Sequence, residues 1–311
     1  MTRNEPFWFA GSGRFAARCL EIMAEKLHFS RIITALPKPA GRSLEMKGTP
    51  VDKRASELDL PVFRTGDINR DKDILSLFLE ERPFCIFVID FSHLIGEPYL
   101  SMPGPGCLNI HPSLLPAYRG AAPIQRAIMN GDSETGVTVF RLVKEMDAGP
   151  VLISARVEIG VDQTFGDLME ILAVEGSRIA LDGLELFRRG RISFKEQKHE
   201  EASFAPRITK QETELRWEKP SRAVHDLVRS LNPYPGSFFR CNEKRIKIWR
   251  TRMRSENGVP GEIIASTEVN PVVACGQGSV ELVEVQEEGR RRTDGASWAR
   301  GRSIRKGDLL K

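Results

Sequence analysis

The segment that most limits the fold is an almost continuous apolar run at residues 84–91, FCIFVIDF, in which only Asp90 is charged. A strand that is apolar on both sides must be covered on both faces, which is typical of parallel sheets between helices. Other strand-like runs and helix-like spacings alternate along the chain, at 6–10, 14–27, 31–36, 71–82 and 107–111. This alternation predicts an α/β fold with a Rossmann-like, mainly parallel, doubly wound sheet.

The pattern changes in the last third of the chain, where short strand-like segments are separated by turn residues. These segments are 245–250, 261–265, 271–275 and 279–286. Their spacing predicts a small β-barrel of the OB-like type. Because residues 190–208 are polar and have no clear period, we predict a first domain over 1–189, a linker over 190–208 and a β-barrel domain over 209–311.

Charge is distributed unevenly between the two parts. Residues 1–206 hold 25 Lys+Arg and 28 Asp+Glu, a net of −3, whereas residues 207–311 hold 21 and 14, a net of +7. A basic C-terminal part suggests a polyanionic partner such as a nucleic acid, although a solvated basic surface gives the same count.

The cysteines and the N-terminus indicate the compartment. The five cysteines are scattered and form no C-x-x-C motif, so reduced thiols and no zinc site are expected. No apolar run reaches the length of a membrane span, and the N-terminal residues lack the pattern of a signal peptide. We therefore expect a cytoplasmic protein.

The stretch 108–128, LNIHPSLLPAYRGAAPIQRAI, carries the main chemical signal. Asn109 and His111 stand two residues apart at a predicted strand end, so both side chains project from one face. An amide and an imidazole that converge there can stabilise an oxyanion and transfer protons. Asp147, in a turn between two later strands, can orient the imidazole and favour its charged form. The alternative is a structural histidine, a capping asparagine and an ordinary Asp-x-Gly turn.

Other chemistries have weaker signals. Gly11-x-Gly13 follows a strand but lacks the third glycine of a dinucleotide fingerprint, so nicotinamide cofactor binding is disfavoured. The histidines show no metal-ligand spacing, and no G-x-S-x-G motif of a serine hydrolase is present. No metal is predicted.

The same stretch, followed by TGVTVFRLVKEMDAGPVL, resembles the folate-dependent formyltransferase family through its N-x-H-x-S-L-L-P motif and later D-x-G. Four further segments resemble the methionyl-tRNA formyltransferases of that family, over nearly the whole chain: YRGAAPIQRAI, ASFAPRITKQETELRW, LNPYPGSFF and VVACGQGSVELVEVQ. The resemblance implies formyl transfer from 10-formyltetrahydrofolate to the α-amine of initiator methionyl-tRNA. It implies that Asn109 and His111 stabilise the tetrahedral oxyanion and that Asp147 orients the imidazole.

The resemblance also implies where the two substrates bind. The folate pocket would be lined by Ser113, Leu114, Leu115 and Pro116. Family members usually have Ala-Tyr-Gly where this chain has Asp90-Phe91-Ser92, so the folate pocket departs from the family pattern at this point.

The tRNA contacts fall in two regions. The loop LPKPAGRSLEMKGTPV matches the family's segment that reaches the acceptor end of the tRNA. The expected tRNA-binding residues in the loop and in the basic tail are Arg42, Lys38, Lys47, Lys210, Arg245 and Lys247. A sugar-nucleotide amine is the alternative acceptor, but the basic tail favours a nucleic acid. A monomer is the default expectation.

Overall fold

A computed structural model describes most of the chain, namely residues 5–40, 45–241, 244–265 and 269–310. These residues form two compact units, each built from separated parts of the sequence. The first unit comprises residues 5–120, 136–157 and 169–204. The second unit comprises residues 121–135, 158–168 and 205–310. The predicted domains, in contrast, are consecutive stretches of sequence divided at residues 190–208. They remain a prediction.

The main sheet contains seven strands of the described chain. In chain order the strands of the N-terminal half are β1 (Phe7–Gly11), β2 (Phe29–Ala35), β3 (Lys38–Ala40), β4 (Glu45–Lys47), β5 (Val62–Thr65), β6 (Cys85–Ile89), β7 (Gly106–His111), β8 (Glu134–Arg141) and β9 (Val151–Glu158). The sheet order is β5-β2-β1-β6-β7-β8-β9. The first five strands in this order pair in parallel, and β8 pairs antiparallel to β7. The predicted mainly parallel α/β fold is confirmed.

Helices follow most strands, and α2, α3 and α5, whose bounds are given next, begin at capping side chains. The first five are α1 (Arg14–Ala24), α2 (Pro50–Glu57), α3 (Lys72–Glu81), α4 (Pro123–Met129) and α5 (Phe165–Arg188). The Thr49 hydroxyl accepts the Asp52 N–H at 3.0 Å, which caps α2. Thr164 and Asp167 form a capping box at the start of α5, with reciprocal bonds of 3.0 and 3.2 Å. Among the described residues, no helix has the length and apolar character needed to cross a membrane.

The apolar strands explain the layered arrangement. Every residue of β1 and β6 is buried, as the continuous apolar run predicts. On one side of the sheet Trp8, Ile33 and Ile86 pack with Phe78 and Tyr99. The rings of Phe78 and Tyr99 lie 4.7 Å apart between centroids. Burial of these large side chains fixes the strands whose ends form the site described below.

Two segments differ from the sequence-based expectation. The region 37–48, predicted as a loop, contains the short antiparallel ribbon of β3 and β4. The region 190–208, predicted as a linker, contains a 3₁₀ turn at His199–Glu201 and pairs Lys195 with Val151. Its anchors are backbone bonds and a few buried side chains, which its polar composition did not indicate.

The second unit carries an antiparallel sheet, which confirms the predicted change of fold type. Its strands and helices are α6 (Ser221–Ser230), β10 (Ser237–Cys241), β11 (Lys244–Arg254), β12 (Ile263–Ala265), β13 (Val272–Ala274), β14 (Ser279–Glu287), β15 (Thr293–Asp294) and α7 (Gly295–Gly301). Within the described pairings the order is β10-β11-β14-β13-β12, with β15 on β14, so β10 and β12 are edges. Its core includes Trp217, Phe239 and Trp298.

Helix α6 was missed in the sequence because charged residues stand on its buried face. Asp226 and Arg229 are both almost wholly buried and pair at 2.7 Å. Arg229 also donates to the carbonyl oxygens of Gly160 and Gln163, at 3.1 and 3.0 Å. These buried charged residues interrupt the apolar spacing by which a helix is recognised in a sequence, although the helix is packed.

His225 on α6 is a buried neutral imidazole. Its Nε2 lies 3.0 Å from the Val161 carbonyl oxygen and therefore donates, while Nδ1 lies 2.9 Å from the Thr251 hydroxyl. Burial lowers the pKa of His225 below its usual value, despite the nearby Asp162 carboxylate. A histidine with a lowered folded-state pKa stabilises the fold above about pH 6.5, and that stabilisation is lost as the pH falls further.

We expect His225→Asn to have a lower free energy of unfolding than the wild type at pH 7.5, because buried hydrogen bonds are lost. Between pH 7 and pH 5 its free energy of unfolding should fall less than that of the wild type. Chemical denaturation across this pH range measures both effects. His28→Asn, at an exposed histidine, serves as the control. Equal pH slopes for His225→Asn and the wild type would contradict the assignment.

Candidate active site

The carboxyl end of β7 places Asn109 and His111 on one face of the main sheet. Asn109 pairs with Phe140 and His111 with Thr138 in the antiparallel ladder with β8. His111 is buried, and the edge of its ring meets the face of Phe140 with centroids 6.4 Å apart. Asn109 is half-buried, and its carboxamide has no hydrogen-bond partner within the described part of the chain. This amide is therefore available to a ligand.

The His111 ring is oriented by a backbone carbonyl. Its Nε2 lies 3.0 Å from the carbonyl oxygen of Tyr118, which can only accept, so Nε2 carries the proton. The other nitrogen, Nδ1, lies 3.8 Å from Oδ2 of Asp147. This distance is too long for a direct hydrogen bond but suits an ion pair or a bridging water. Nδ1 is thus the ring nitrogen that faces the Asp147 carboxylate.

Asp147 is held in place from both its backbone and its side chain. Its φ of +52° puts the residue in the left-handed region, and its Oδ2 accepts the Gly120 N–H at 2.8 Å. The neighbouring Gly149 has no room for a side chain, since a Cβ would lie 1.8 Å from the Arg141 carbonyl oxygen. Only glycine therefore fits at the last position of the D-x-G turn. The structure also brings Asp147 close to His111, as the sequence predicted.

The S-L-L-P loop after His111 is a rigid turn. The Ser113 hydroxyl donates to the Ala117 carbonyl at 2.6 Å, and Thr138 donates to the Ser113 carbonyl at 2.7 Å. Ser113 is fully buried, whereas Leu114, Leu115 and Pro116 are half-buried. Ser113 thus shapes the loop through its side chain, and the three following residues are those with surface to offer a ligand.

Residues 195–204, which the sequence analysis assigned to a linker, connect the loop that contains Arg119 to the turn that contains Asp147. We call them the strap. Gln197 donates its amide N–H groups to the carbonyl oxygens of Asp147 and Gly149, at 2.9 and 2.7 Å. Its Oε1 accepts from Arg119 at 2.6 and 3.2 Å. Both Gln197 and Arg119 are buried. One side chain therefore links the D-x-G turn to the loop whose Tyr118 carbonyl orients the imidazole.

Two further contacts complete the strap. Ser203 accepts the Tyr118 N–H through its hydroxyl at 2.9 Å and the Arg119 N–H through its carbonyl at 2.9 Å. The Arg119 guanidinium also lies 3.1 Å from Nδ1 of His199. The sequence analysis missed Arg119, Gln197 and Ser203, because their partners are backbone groups and residues about 80 positions away. The only available signal was an isolated glutamine in a charged segment.

The predicted tRNA-binding residues lie in several places. Arg42 falls outside the described residues. Lys38 and Lys47 are exposed and stand directly opposite each other on the β3–β4 ribbon. Lys210 is exposed and precedes a short 3₁₀ turn in the second unit.

Arg245 and Lys247 belong to a cluster of cations and aromatic rings on the antiparallel sheet. We call Arg245, Lys247, Arg250 and Arg292 the basic face. Arg245 lies 4.2 Å from the centroid of Phe238, and Lys247 and Arg292 lie 5.2 and 3.7 Å from that of Trp249. Burial, helped by the neighbouring Arg245 and Arg292, lowers the pKa of Lys247. Crowded cations of this kind favour an anionic partner.

Arg250 and Arg292 also line a groove of about 580 Å³ in the second unit. Arg250 stands at an irregularity in the β11–β14 ladder, which turns its side chain away from the regular alternation. Its guanidinium has no ion pair among the described residues, whereas Arg292 lies 3.7 Å from Glu284. In the same described set, no group of three or more His, Cys, Asp or Glu residues could hold a metal ion.

The comparisons with known proteins agree with this geometry. The formyl transferase model matches residues 7–183, and the model of the formyl transferase C-terminal domain matches residues 207–303. The chain therefore belongs to the formyl transferase family.

Within this family the chain is similar to methionyl-tRNA formyltransferases. It is 36% identical over 301 residues to the methionyl-tRNA formyltransferase of Protochlamydia amoebophila, covering 95% of this chain and 94% of the relative. It is 35% identical to that of Methylobacterium sp. (strain 4-46), covering 97% and 98%. A solved N-formyltransferase from Helicobacter canadensis, in complex with folinic acid and dTDP-3-aminofucose, shares the fold with a TM-score of 0.65. It is 17% identical, and the match covers 89% of this chain and 98% of that structure.

We expect Gln197→Ala to lower the turnover of formyl transfer roughly 10- to 100-fold with little change in KM, because the D-x-G turn loses its anchor while the binding surfaces remain. Gln197→Glu keeps an acceptor for Arg119 but cannot donate to two carbonyl groups, so it should fail to restore turnover. Glu196→Gln, at the exposed neighbour, is the control. Equal turnover of Gln197→Ala and the control would contradict a positioning role.

Proposed function

We propose that this chain transfers the formyl group of 10-formyltetrahydrofolate to the α-amine of initiator methionyl-tRNA. The observation that carries the proposal is the approach of His111 and Asp147 beside the unpartnered amide of Asn109. Relatives with this activity in their names match along their whole length, which favours it over a sugar-nucleotide acceptor.

The reaction requires a group that stabilises negative charge on the formyl oxygen. The amine nitrogen attacks the formyl carbon, a C–N bond forms, and the oxygen becomes an oxyanion in the tetrahedral intermediate. The Asn109 amide can donate a hydrogen bond to that oxygen from a fixed strand end. Preorganised donors of this type contribute about 10²–10³ in rate.

The proton released by the amine needs an acceptor. Nδ1 of His111 is available because Nε2 is occupied by the Tyr118 carbonyl. Once charged, the ring is stabilised by Asp147 and can assist Asn109 at the oxyanion. When the intermediate collapses, the C–N bond to the folate nitrogen breaks and that nitrogen receives a proton.

The donor would bind against the S-L-L-P loop. Leu114, Leu115 and Pro116 offer apolar surface for the pterin, and Ser113 fixes the loop in its bound shape. Pockets for small molecules commonly combine such apolar walls with a few fixed polar groups.

Two cationic regions would contact the tRNA. On the β3–β4 ribbon, Lys38 and Lys47 are directly opposed like charges, which destabilise a ribbon unless an anion neutralises them. Arg42 belongs to the same segment. In the second unit, Lys210 and the basic face would contact the phosphate backbone, with Arg245 and Lys247 already oriented by aromatic rings. The chain would act as a monomer in the cytoplasm, with a catalytic domain over 1–189 and a tRNA-binding domain over 209–311.

We expect the wild-type protein to formylate charged initiator tRNA in the presence of 10-formyltetrahydrofolate, and not free methionine. His111→Ala and Asp147→Asn should each lower turnover at least about 100-fold while tRNA affinity changes little, because neither group carries the binding energy of the tRNA. Transfer of labelled formyl groups and binding of labelled tRNA measure the two quantities separately. Wild-type turnover in either variant would refute the assigned chemistry.

We expect the double variant Arg245→Gln and Lys247→Gln to bind tRNA more weakly and to show a shallower dependence of log Kd on log salt, by about 1 to 2 units of slope, because up to two phosphate contacts are lost. The double variant Arg305→Gln and Lys306→Gln, at two exposed cations of the same unit, removes the same charge and is the control. A slope equal to that of the wild type would exclude these residues from the interface.

A further inference from the structure

The order of the main sheet defines a crevice that the assigned residues do not fill. From β1 the chain builds β2 and β5 on one side and then β6 and β7 on the other. The loops after β1 and β6 therefore leave the sheet in opposite directions. Ligands of open α/β sheets bind at this switch point, beyond the carboxyl ends of the strands. Here the two loops begin with Ser12 and Asp90.

Asp90 joins these two loops. Its carbonyl oxygen accepts the N–H groups of Ser12 and Gly13, at 3.0 and 3.1 Å. Its φ of +43° is in the left-handed region. Its carboxylate packs on the Cα of Gly13, where a Cβ would lie 1.5 Å from Oδ2. Any side chain at residue 13 would displace the carboxylate, so the second glycine of G-S-G has a steric role beside Asp90.

The Asp90 carboxylate is held without a partner. It makes no hydrogen bond or ion pair with any described residue. Asp90 is exposed, yet the protein atoms around its carboxyl group raise its pKa to about 6. An acidic group kept in a strained backbone conformation without a partner is costly, and such groups concentrate where a ligand completes the site.

The strand order places Asp90 at the same edge of the sheet as the reacting groups. Phe87 of β6 pairs with Leu108 of the parallel β7. Asp90 directly follows the last residue of β6, and His111 is the last residue of β7. Because the two strands are parallel neighbours, both residues lie at the carboxyl edge of the sheet.

We propose that Asp90 binds the α-ammonium group of the acceptor and holds it at the switch point before transfer. This inference rests on the proposed function. In that reaction the acceptor amine is the group that carries a positive charge near neutral pH. The folate donor has a neutral pterin and carboxylates, and a desolvated carboxylate selects a cation over neutral N–H groups.

The test compares the binding of methionyl-tRNA and N-acetylmethionyl-tRNA, which lacks the ammonium group, at pH 7 without donor. The wild type should bind the free-amine form about 10-fold more tightly, and Asp90→Asn should bind both forms equally. Asp59→Asn, at an exposed aspartate that also has a positive φ of 53°, is the matched control. A preference that persists in Asp90→Asn, or that is absent in the wild type, overturns the proposal.

Steady-state kinetics and stability separate this proposal from its alternatives. Asp90→Asn should raise KM for methionyl-tRNA about 10- to 100-fold and leave KM for 10-formyltetrahydrofolate within about twofold. A rise confined to the donor KM would assign Asp90 to the pterin and overturn the proposal. If the wild type fails to formylate methionyl-tRNA, the proposed function is wrong, and the binding comparison still decides the role of Asp90.

The direction in which Asp90→Asn changes the stability of the fold follows from the pKa of Asp90. A carboxyl group whose pKa is higher in the folded than in the unfolded state destabilises the fold as the pH rises through these two values, from about 4 to about 6. Removing the charge should therefore raise Tm at pH 7.5, and the gain should vanish near pH 4. A lower Tm at pH 7.5 would identify Asp90 as a structural residue and overturn the proposal.

Discussion

The parallel pairing of β1, β6 and β7 is the constraint on which the site depends. Their registers bring three strand ends to one edge of the sheet, and buried apolar residues hold them there. The polar residues that follow these strand ends are therefore already close to one another. His111 is the last residue of β7, and its backbone is held by pairing with Thr138 of β8. The loops that carry Tyr118 and Asp147, the partners of His111, must in addition point toward its ring.

Backbone strain sets that direction. Six described residues other than glycine have positive φ, and Asp90, Tyr118 and Asp147 are three of them. Each follows a strand of the main sheet and either carries a carboxylate or supplies the carbonyl that orients His111. A left-handed residue other than glycine costs on the order of 1–3 kcal/mol and persists only when its surroundings fix it. For Tyr118 and Asp147 those surroundings are the hydrogen bonds of Gln197, Arg119 and Ser203.

The sequence predicted the strands, and the approach of Asp147 to His111, better than the connections. Continuous apolar runs identified β6, and strand spacing placed Asn109 and His111 on one face. The contacts of the strap were not predicted, because they rest on backbone acceptors, which leave no trace in composition. Helix α6 was missed for a related reason, since its buried Asp226 and Arg229 satisfy each other. Tertiary partners of this kind become visible only when distant segments are seen together.

The two sheets divide the physical work of the proposed reaction. At the parallel edge, few groups act and each is desolvated, so small displacements matter and the loops are held by buried hydrogen bonds. On the antiparallel sheet, cations are numerous and partly solvated, and stacking on Phe238 and Trp249 limits their freedom without removing them from solvent. Long-range attraction of a polyanion needs charge density rather than exact placement. The two sheets therefore impose different requirements on their residues, exact placement at the parallel edge and charge density on the antiparallel sheet.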